Sequence, residues 1–269
     1  MKKVIKRILG RKWSNKMANW KMRFFPNEEQ RAMKATENEN HLKRILFYSG
    51  LVKPGDLCFD VGANVGNRVK SLLAIGARVV AIEPNLECVE ILKKEFGSRI
   101  QMVPKGLGES NGEKVFYSSD SSTISSFSLE WIDSVKRGRF KDYHWDAGRQ
   151  VSITTLDQLI EKYGKPTFVK IDVEGYELNV LKGLSQPIDL ISFEYTVPEL
   201  TNRVLDYIRQ LESIDEHYQF NYCIGERMQF ELNTWVCAAD FSKFVMSDEF
   251  IGSGFGDIYE KTRAKSGAI

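Results

Sequence analysis

The chain has 269 residues, of which 42% are hydrophobic and 28% charged, with 20 glycines and 7 prolines. That is a globular composition, and it excludes collagenous, disulfide-scaffold and wholly disordered classes. The formal net charge of +2 is uneven: residues 1–25 hold nine Lys or Arg and no acid, which leaves 29 basic against 36 acidic residues in 26–269. An acidic body gives no support for nucleic-acid binding, and no apolar run reaches the roughly 18 residues of a membrane span.

In the leader, Ile5, Ile8, Leu9, Trp13, Met17 and Trp20 fall near helical spacing with cations between them. Such a helix suits an anionic membrane surface. It equally suits packing on the protein's own body with its Lys and Arg solvated. The apolar stretch and cleavage site of a signal peptide do not follow it. A helix is predicted over 28–49, stopped by Gly50, and Lys53-Pro54-Gly55-Asp56 reads as a turn. Residues 1–50 are thus expected to form a basic helical extension, and 51–269 the main domain.

From there short apolar runs alternate with helical patterns. Strands are predicted over 57–61, 78–83, 100–104, 167–172 and 188–194, with helices over 65–75, 86–96, 177–182 and 199–211. Runs 218–224 and 228–238, joined by Gly225-Glu226-Arg227, predict an antiparallel hairpin. Strands alternating with helices imply a parallel sheet covered on both faces. Residues 109–155, rich in serine and aromatics, break the rhythm as an insertion, and long insertions are often binding loops or lids. Cys58, Cys88, Cys223 and Cys237 show no CxxC spacing. They are expected to be buried, reduced thiols of a cytoplasmic protein.

The most informative run is Asp60-Val61-Gly62-Ala63-Asn64-Val65-Gly66. It follows a strand and opens a helix, so glycines there admit a ligand to the backbone and to free N–H groups. Its G-x-x-x-G spacing is neither the dinucleotide G-x-G-x-x-G nor a P-loop. Glu83 ends the second strand, where an acid accepts hydrogen bonds from ribose hydroxyls. A second constellation is Lys170-Ile171-Asp172-Val173-Glu174-Gly175-Tyr176-Glu177. Asp172 stands at the carboxyl end of a core strand, where open α/β sheets bind ligands. Glu174 and Glu177 share that crevice or cap the next helix, and Glu194 ends the neighbouring strand.

These runs, with Ala81-Ile82-Glu83-Pro84-Asn85, the Thr155–Ile160 stretch, Phe168–Gly183 and Ile191–Glu194, resemble the FkbM family of S-adenosylmethionine-dependent methyltransferases. The resemblance runs from about Lys53 to Glu194 and continues weakly to Gly256-Asp257-Ile258-Tyr259. It does not cover the leader or much of 120–150, so it does not identify the acceptor. It implies the class I methyltransferase fold, an α/β Rossmann-like seven-stranded, mostly parallel sheet with a C-terminal antiparallel hairpin. It also implies a cofactor placement. Gly62, Asn64 and Gly66 would border methionine and ribose, and Asp60 would organise the turn and reach the methionine amino group through water. Glu83 would hold the ribose, Pro84 would lie beside the adenosine, and Gly106 and Leu107 would flank the adenine.

The family's usual reaction is methylation of hydroxyl oxygens, on sugars or polyketide-type molecules. The expected acceptor is therefore a sugar, glycan or glycolipid. A polyketide-type small molecule and a non-catalytic cofactor-binding scaffold are the alternatives. A carboxylate of ordinary pKa is a weak base toward an alcohol. Either burial or a neighbouring acid raises the pKa of Asp172, Glu174 or Glu177, or a divalent cation acidifies the acceptor. Asp172 and Glu194, at adjacent strand ends, are the expected ligands for Mg²⁺. His144 in the insertion is a further candidate base. The reduced cysteines place the enzyme in the cytoplasm, and residues 1–25, where they do not pack on the protein's own body, offer a contact to a membrane's inner face or another anionic partner.

Overall fold

A computed structural model describes residues 28–262, and the leader reading on residues 1–25 lies outside the described residues. Two compact units divide the chain, 1–43 and 44–269. Helix α1 is Glu28–Ser49. Among the described residues no helix is long and apolar enough to cross a membrane.

The second unit is built on a sheet of eight strands. Five are parallel: β1 (Leu57–Val61), β2 (Arg78–Ile82), β3 (Ile100–Val103), β7 (Phe168–Ile171) and β8 (Leu190–Thr196). Their near-continuous Val, Ile, Leu and Phe runs reflect burial on both faces. The C-terminal strand β11 (Phe255–Lys261) inserts antiparallel between β8 and β9 (Gln219–Ile224). A two-residue strand, β10 (Val236–Cys237), closes the edge beyond β9. The order β3-β2-β1-β7-β8-β11-β9 is the expected class I methyltransferase arrangement, and β10 is an addition to it.

The hairpin expected from 218–224 and 228–238 needs correction. The true partner of β9 is β11, and only Val236 and Cys237 of the second run pair with β9. The side chain of Asn221 takes up the intervening backbone. Its Nδ2 donates to the Leu232 carbonyl at 2.9 Å and its Oδ1 accepts from the Leu232 amide at 3.1 Å. Phe230 and Trp235 then turn inward and meet edge to face, and Phe230 also meets Phe47 and Tyr259. Cys58, Cys88 and Cys223 are buried as expected, but Cys237 is exposed at the start of helix α8 (Ala238–Val245).

One face of the sheet is covered by the end of α1 with α2 (Asn67–Ile75) and α3 (Leu86–Phe96), around Leu72, Leu92 and Phe96. The other is covered by α5 (Leu156–Tyr163), α6 (Glu177–Leu181), α7 (Thr201–Glu212) and α8. The segment between β3 and α5 forms a small second sheet, β4 (Gly106–Leu107), β6 (Arg149–Thr154) and β5 (Gly112–Phe116). It also carries helix α4 (Leu129–Lys136), whose Trp131, Ile132 and Val135 make a core of their own with Ile124 and Leu200.

Candidate active site

The carboxyl ends of β1, β2, β7 and β8 open into one cleft of about 240 Å³. Its first wall is the glycine turn. Gly62 has φ +82, and a Cβ there would lie 1.8 Å from the carbonyl oxygen of Asp172. Only glycine lets this turn lie against the end of β7. Gly66, at φ +88, sits where a Cβ would meet the Phe96 ring at 2.4 Å, so α2 packs closely on α3. Asn64 adopts φ +48, which asparagine tolerates better than most residues.

Glu83 staples this turn to the next strand. Its Oε2 accepts from the Asn64 amide and its Oε1 from the Asn85 amide, both at 2.7 Å. Burial pushes its carboxyl up to about 7, and nearby Asp60 adds to that. Asp60 is 1% exposed, and neither of its carboxylate oxygens has a hydrogen-bonding partner among the described residues. Burial raises it to about 6, against the pull of Arg68 and Lys170. Pro84, Gly106 and Leu107 also line the cleft.

The second wall is acidic. Asp172, Glu174 and Glu194 each offer a carboxylate oxygen, and these atoms lie within 4.8 Å of one another. Their electrostatic settings differ. Asp172 Oδ2 is 3.2 Å from Arg68 Nη1 and 3.6 Å from Lys170 Nζ. Burial alone would raise its carboxyl, but the two cations outweigh that and hold it below its ordinary range. Glu174 and Glu194 have no such clamp. Burial first, then the charge of Asp172 and neighbouring acids, raises both well above the usual carboxylate range. Of the three, Asp172 is therefore the weakest base.

The turn that carries Glu174 is over-determined. Buried Glu177 accepts from the amides of Val173 and Gly175 through Oε1, and from the Tyr207 hydroxyl through Oε2. It serves the turn rather than the cleft. Glu174 sits at φ +53, and its carbonyl accepts from Ser126 Oγ at 2.6 Å. Gly175 packs where a Cβ would strike the Trp131 ring at 2.4 Å.

The 109–155 segment thus grips the acidic turn from one side. On the other it reaches the glycine turn, where Ser122 Oγ donates to Asn64 Oδ1 at 3.0 Å. Ser122, Thr123, Ser125 and Phe127 line the cleft. His144 does not join them: its side chain is 83% exposed, and its Nδ1 lies 3.3 Å from Asp120 Oδ2, away from the cleft.

Sequence reasoning missed Arg44, Arg68, Glu226 and Asp257. Arg68 Nη2 meets Glu226 Oε1 at 3.1 Å and Asp257 Oδ2 at 3.8 Å, and Arg44 Nε meets Glu226 Oε2 at 3.3 Å. Lys170, fully buried, pairs with Asp257 Oδ1 at 2.8 Å. Its signal was legible: a lysine inside the otherwise apolar Phe168–Ile171 strand requires a buried counter-ion.

The methyltransferase FkbM domain matches residues 60–229 of this chain. The hexuronic acid methyltransferase AglP of Haloferax volcanii is 27% identical over 143 residues. That match covers 51% of this chain and 54% of AglP, so the chain spans about half the length of that relative. The ribosomal RNA small subunit methyltransferase A of an Anaeromyxobacter strain is 39% identical over 51 residues, 19% of this chain and 18% of that protein. A TehB-like methyltransferase structure from Corynebacterium glutamicum superposes with a TM-score of 0.43 at 9% identity, covering 88% of this chain and all of that one.

Proposed function

The chain belongs to the FkbM methyltransferase family, and from that premise we propose that it methylates a hydroxyl oxygen of a sugar, glycan or glycolipid. Its methyl donor is S-adenosylmethionine, and the residues present fit that cofactor. Asp60 presents two buried, unpartnered oxygens suited to an ammonium group. Each Glu83 oxygen accepts only one backbone amide and keeps a lone pair for a hydroxyl. When bound, the cofactor supplies a methyl group activated for transfer by its positively charged sulfur.

The observation that carries the oxygen acceptor is the contrast within the acidic wall. An alcohol needs its proton removed as its oxygen gains the methyl, and a base of raised pKa does this best near neutral pH. Glu174 and Glu194 are raised and line the cleft, whereas Asp172 is held low. In this reading the ionised member of the Glu174–Glu194 pair would take the proton of the acceptor hydroxyl, and the methyl group would come from the cofactor at the expense of its methyl–sulfur bond, leaving a neutral thioether. Asp172, fixed by Arg68 and Lys170, holds the local charge constant. The remaining task is alignment of acceptor and methyl, which is a proximity effect. The Ser122–Phe127 stretch of the cleft wall supplies hydroxyls and an aromatic face for a sugar. AglP's hexuronic acid acceptor supports the saccharide class.

A second reading adds Mg²⁺. The clustered oxygens of Asp172, Glu174 and Glu194 are of the kind that ligate it, and the ion would acidify the acceptor hydroxyl. Arg68 and Lys170 beside Asp172 oppose a dication there.

The test is incubation with methyl-¹³C-labelled S-adenosylmethionine and a panel of saccharide acceptors, with EDTA or with Mg²⁺. An O-methyl carbon resonance in the product supports the proposal. Label found only on nitrogen or carbon would overturn it, and activity abolished by EDTA and restored by Mg²⁺ would select the second reading.

A further inference from the structure

We propose that Arg44 and Arg68 form an anion subsite beside the acidic wall, which takes a carboxylate or phosphate carried by the acceptor and which Glu226 fills until the acceptor arrives. This rests on the transferase reading above and names the acceptor's chemistry more closely.

The Glu226 carboxylate bridges two guanidinium groups, with Oε1 on Arg68 Nη2 and Oε2 on Arg44 Nε. The three partners differ in burial. The side chains of Arg44 and Arg68 are 10% and 18% exposed, whereas that of Glu226 is 44% exposed. The arginines are therefore built into the wall, and both line the cleft. The glutamate reaches in from the Gly225-Glu226-Arg227 turn, whose Gly225 has φ +52. A mostly buried arginine needs an anion close by. A half-exposed carboxylate is an anion displaced at small cost, because its charge is readily resolvated.

Charge balance points the same way. Arg44, Arg68 and Lys170 stand against Asp172, Asp257 and Glu226. When the turn swings out, Arg44 loses the carboxylate it pairs with, whereas Arg68 keeps Asp172 and Asp257. An incoming monoanion replaces the lost partner. Arg68 Nε is also buried and has no partner among the described residues, so the guanidinium retains an unused donor. Guanidinium forks match carboxylate and phosphate oxygens in pairs. Arg68 simultaneously touches Asp172, so an anion held here places the rest of the acceptor against the acidic wall.

The experiment is calorimetric titration of the full chain with D-glucuronate, D-glucose 1-phosphate and neutral D-glucose, each with and without S-adenosylhomocysteine. One of the two anions should bind about tenfold more tightly than glucose, as charge-assisted hydrogen bonds allow, and whichever does so identifies carboxylate or phosphate. Glu226→Gln should tighten that anion several-fold and leave glucose unchanged, and Arg44→Gln should erase the preference. Glu226 is exposed enough for its variant to fold, so the inference stays testable if Arg44→Gln does not. No preference for either anion over glucose, or no effect of Glu226→Gln, overturns the subsite. Normal S-adenosylhomocysteine binding in those samples would leave the transferase reading standing. Failure to bind S-adenosylhomocysteine counts against that reading, and the cofactor-free titrations still decide the subsite.

Discussion

Arg68 Nη1 lies 3.2 Å from Oδ2 of Asp172. The pair joins the helix that follows the glycine turn to the strand end that carries the acidic wall. One ion pair therefore couples the glycine-turn wall of the cleft to the acidic wall. It also explains why the acid at the most prominent sequence position is the least basic of its cluster.

Replacing Asp172 with Asn should destabilise the protein as well as slow it. Arg68 and Lys170 would keep Asp257 and Glu226 but lose their shared carboxylate, at a cost of about 1–3 kcal/mol. Because the folded protein holds the Asp172 carboxyl below its ordinary range, the stabilisation is present above that range and is lost as pH falls from it through the lower folded value. Urea unfolding should separate wild type from Asp172→Asn at pH 7, and the gap should narrow as pH falls below about 4. Coincident midpoints at pH 7 would show that the pairing contributes nothing.

Cofactor affinity should rise with pH between about 5 and 7. In the free protein Asp60 and Glu83 hold protons up to about 6 and about 7. An ammonium beside Asp60 and hydroxyl donors on Glu83 favour the ionised forms, so binding releases protons and strengthens as pH rises. Asp60→Asn should flatten the lower part of the profile and Glu83→Gln the upper part. Glu83→Ala should weaken binding by about 1–3 kcal/mol at pH 7.5. Calorimetry with S-adenosylhomocysteine at a series of pH values reads all three variants, and a flat wild-type profile would contradict both assignments.

Much of the glycine-turn wall was legible in the sequence because it is local. The strand, the glycine turn and Glu83 lie within a strand–helix–strand unit, and short-range geometry sets their relation. The acidic wall was half legible: Asp172 and Glu194 were expected at strand ends, but their basicities depend on Arg68 and Lys170. Arg44, Arg68, Glu226 and Asp257 come from four separate segments that only the finished sheet brings together. No periodicity announces such a cluster. The misread hairpin has a similar cause, since β9 pairs along its length with the distant β11 and with its neighbour only at Val236 and Cys237.

Gly62→Ala should disrupt both walls at once. Its Cβ would fall 1.8 Å from a backbone oxygen of Asp172, and its φ of +82 is one that alanine resists. A backbone atom cannot rotate away as a side chain can, so β1 or β7 must shift. The expected cost is on the order of 3 kcal/mol or more. Thermal unfolding measures it, and a variant that keeps wild-type stability and S-adenosylhomocysteine affinity would show that the turn has slack. Gly55→Ala is the control, because a Cβ there meets nothing within 4 Å although its φ is also positive. It isolates the conformational strain from the clash.

Glu260 should prove a liability to stability. It sits on β11, fully buried, and neither carboxylate oxygen has a partner among the described residues. Burial first, and then the charge of Asp215, raises its carboxyl well above the ordinary range. The folded chain therefore keeps a proton that the unfolded chain releases above about pH 4. Stability from this group is complete in acid and drains away as pH rises toward the folded value. Glu260→Met keeps the volume, removes the unpaired polar atoms and abolishes the proton linkage. At pH 8 it should stabilise the protein by about 1–3 kcal/mol, and the gain should shrink on titration toward pH 4. Denaturant midpoints at the two pH values provide the measurement. A variant less stable than wild type at pH 8 would mean that Glu260 is satisfied by a partner after all.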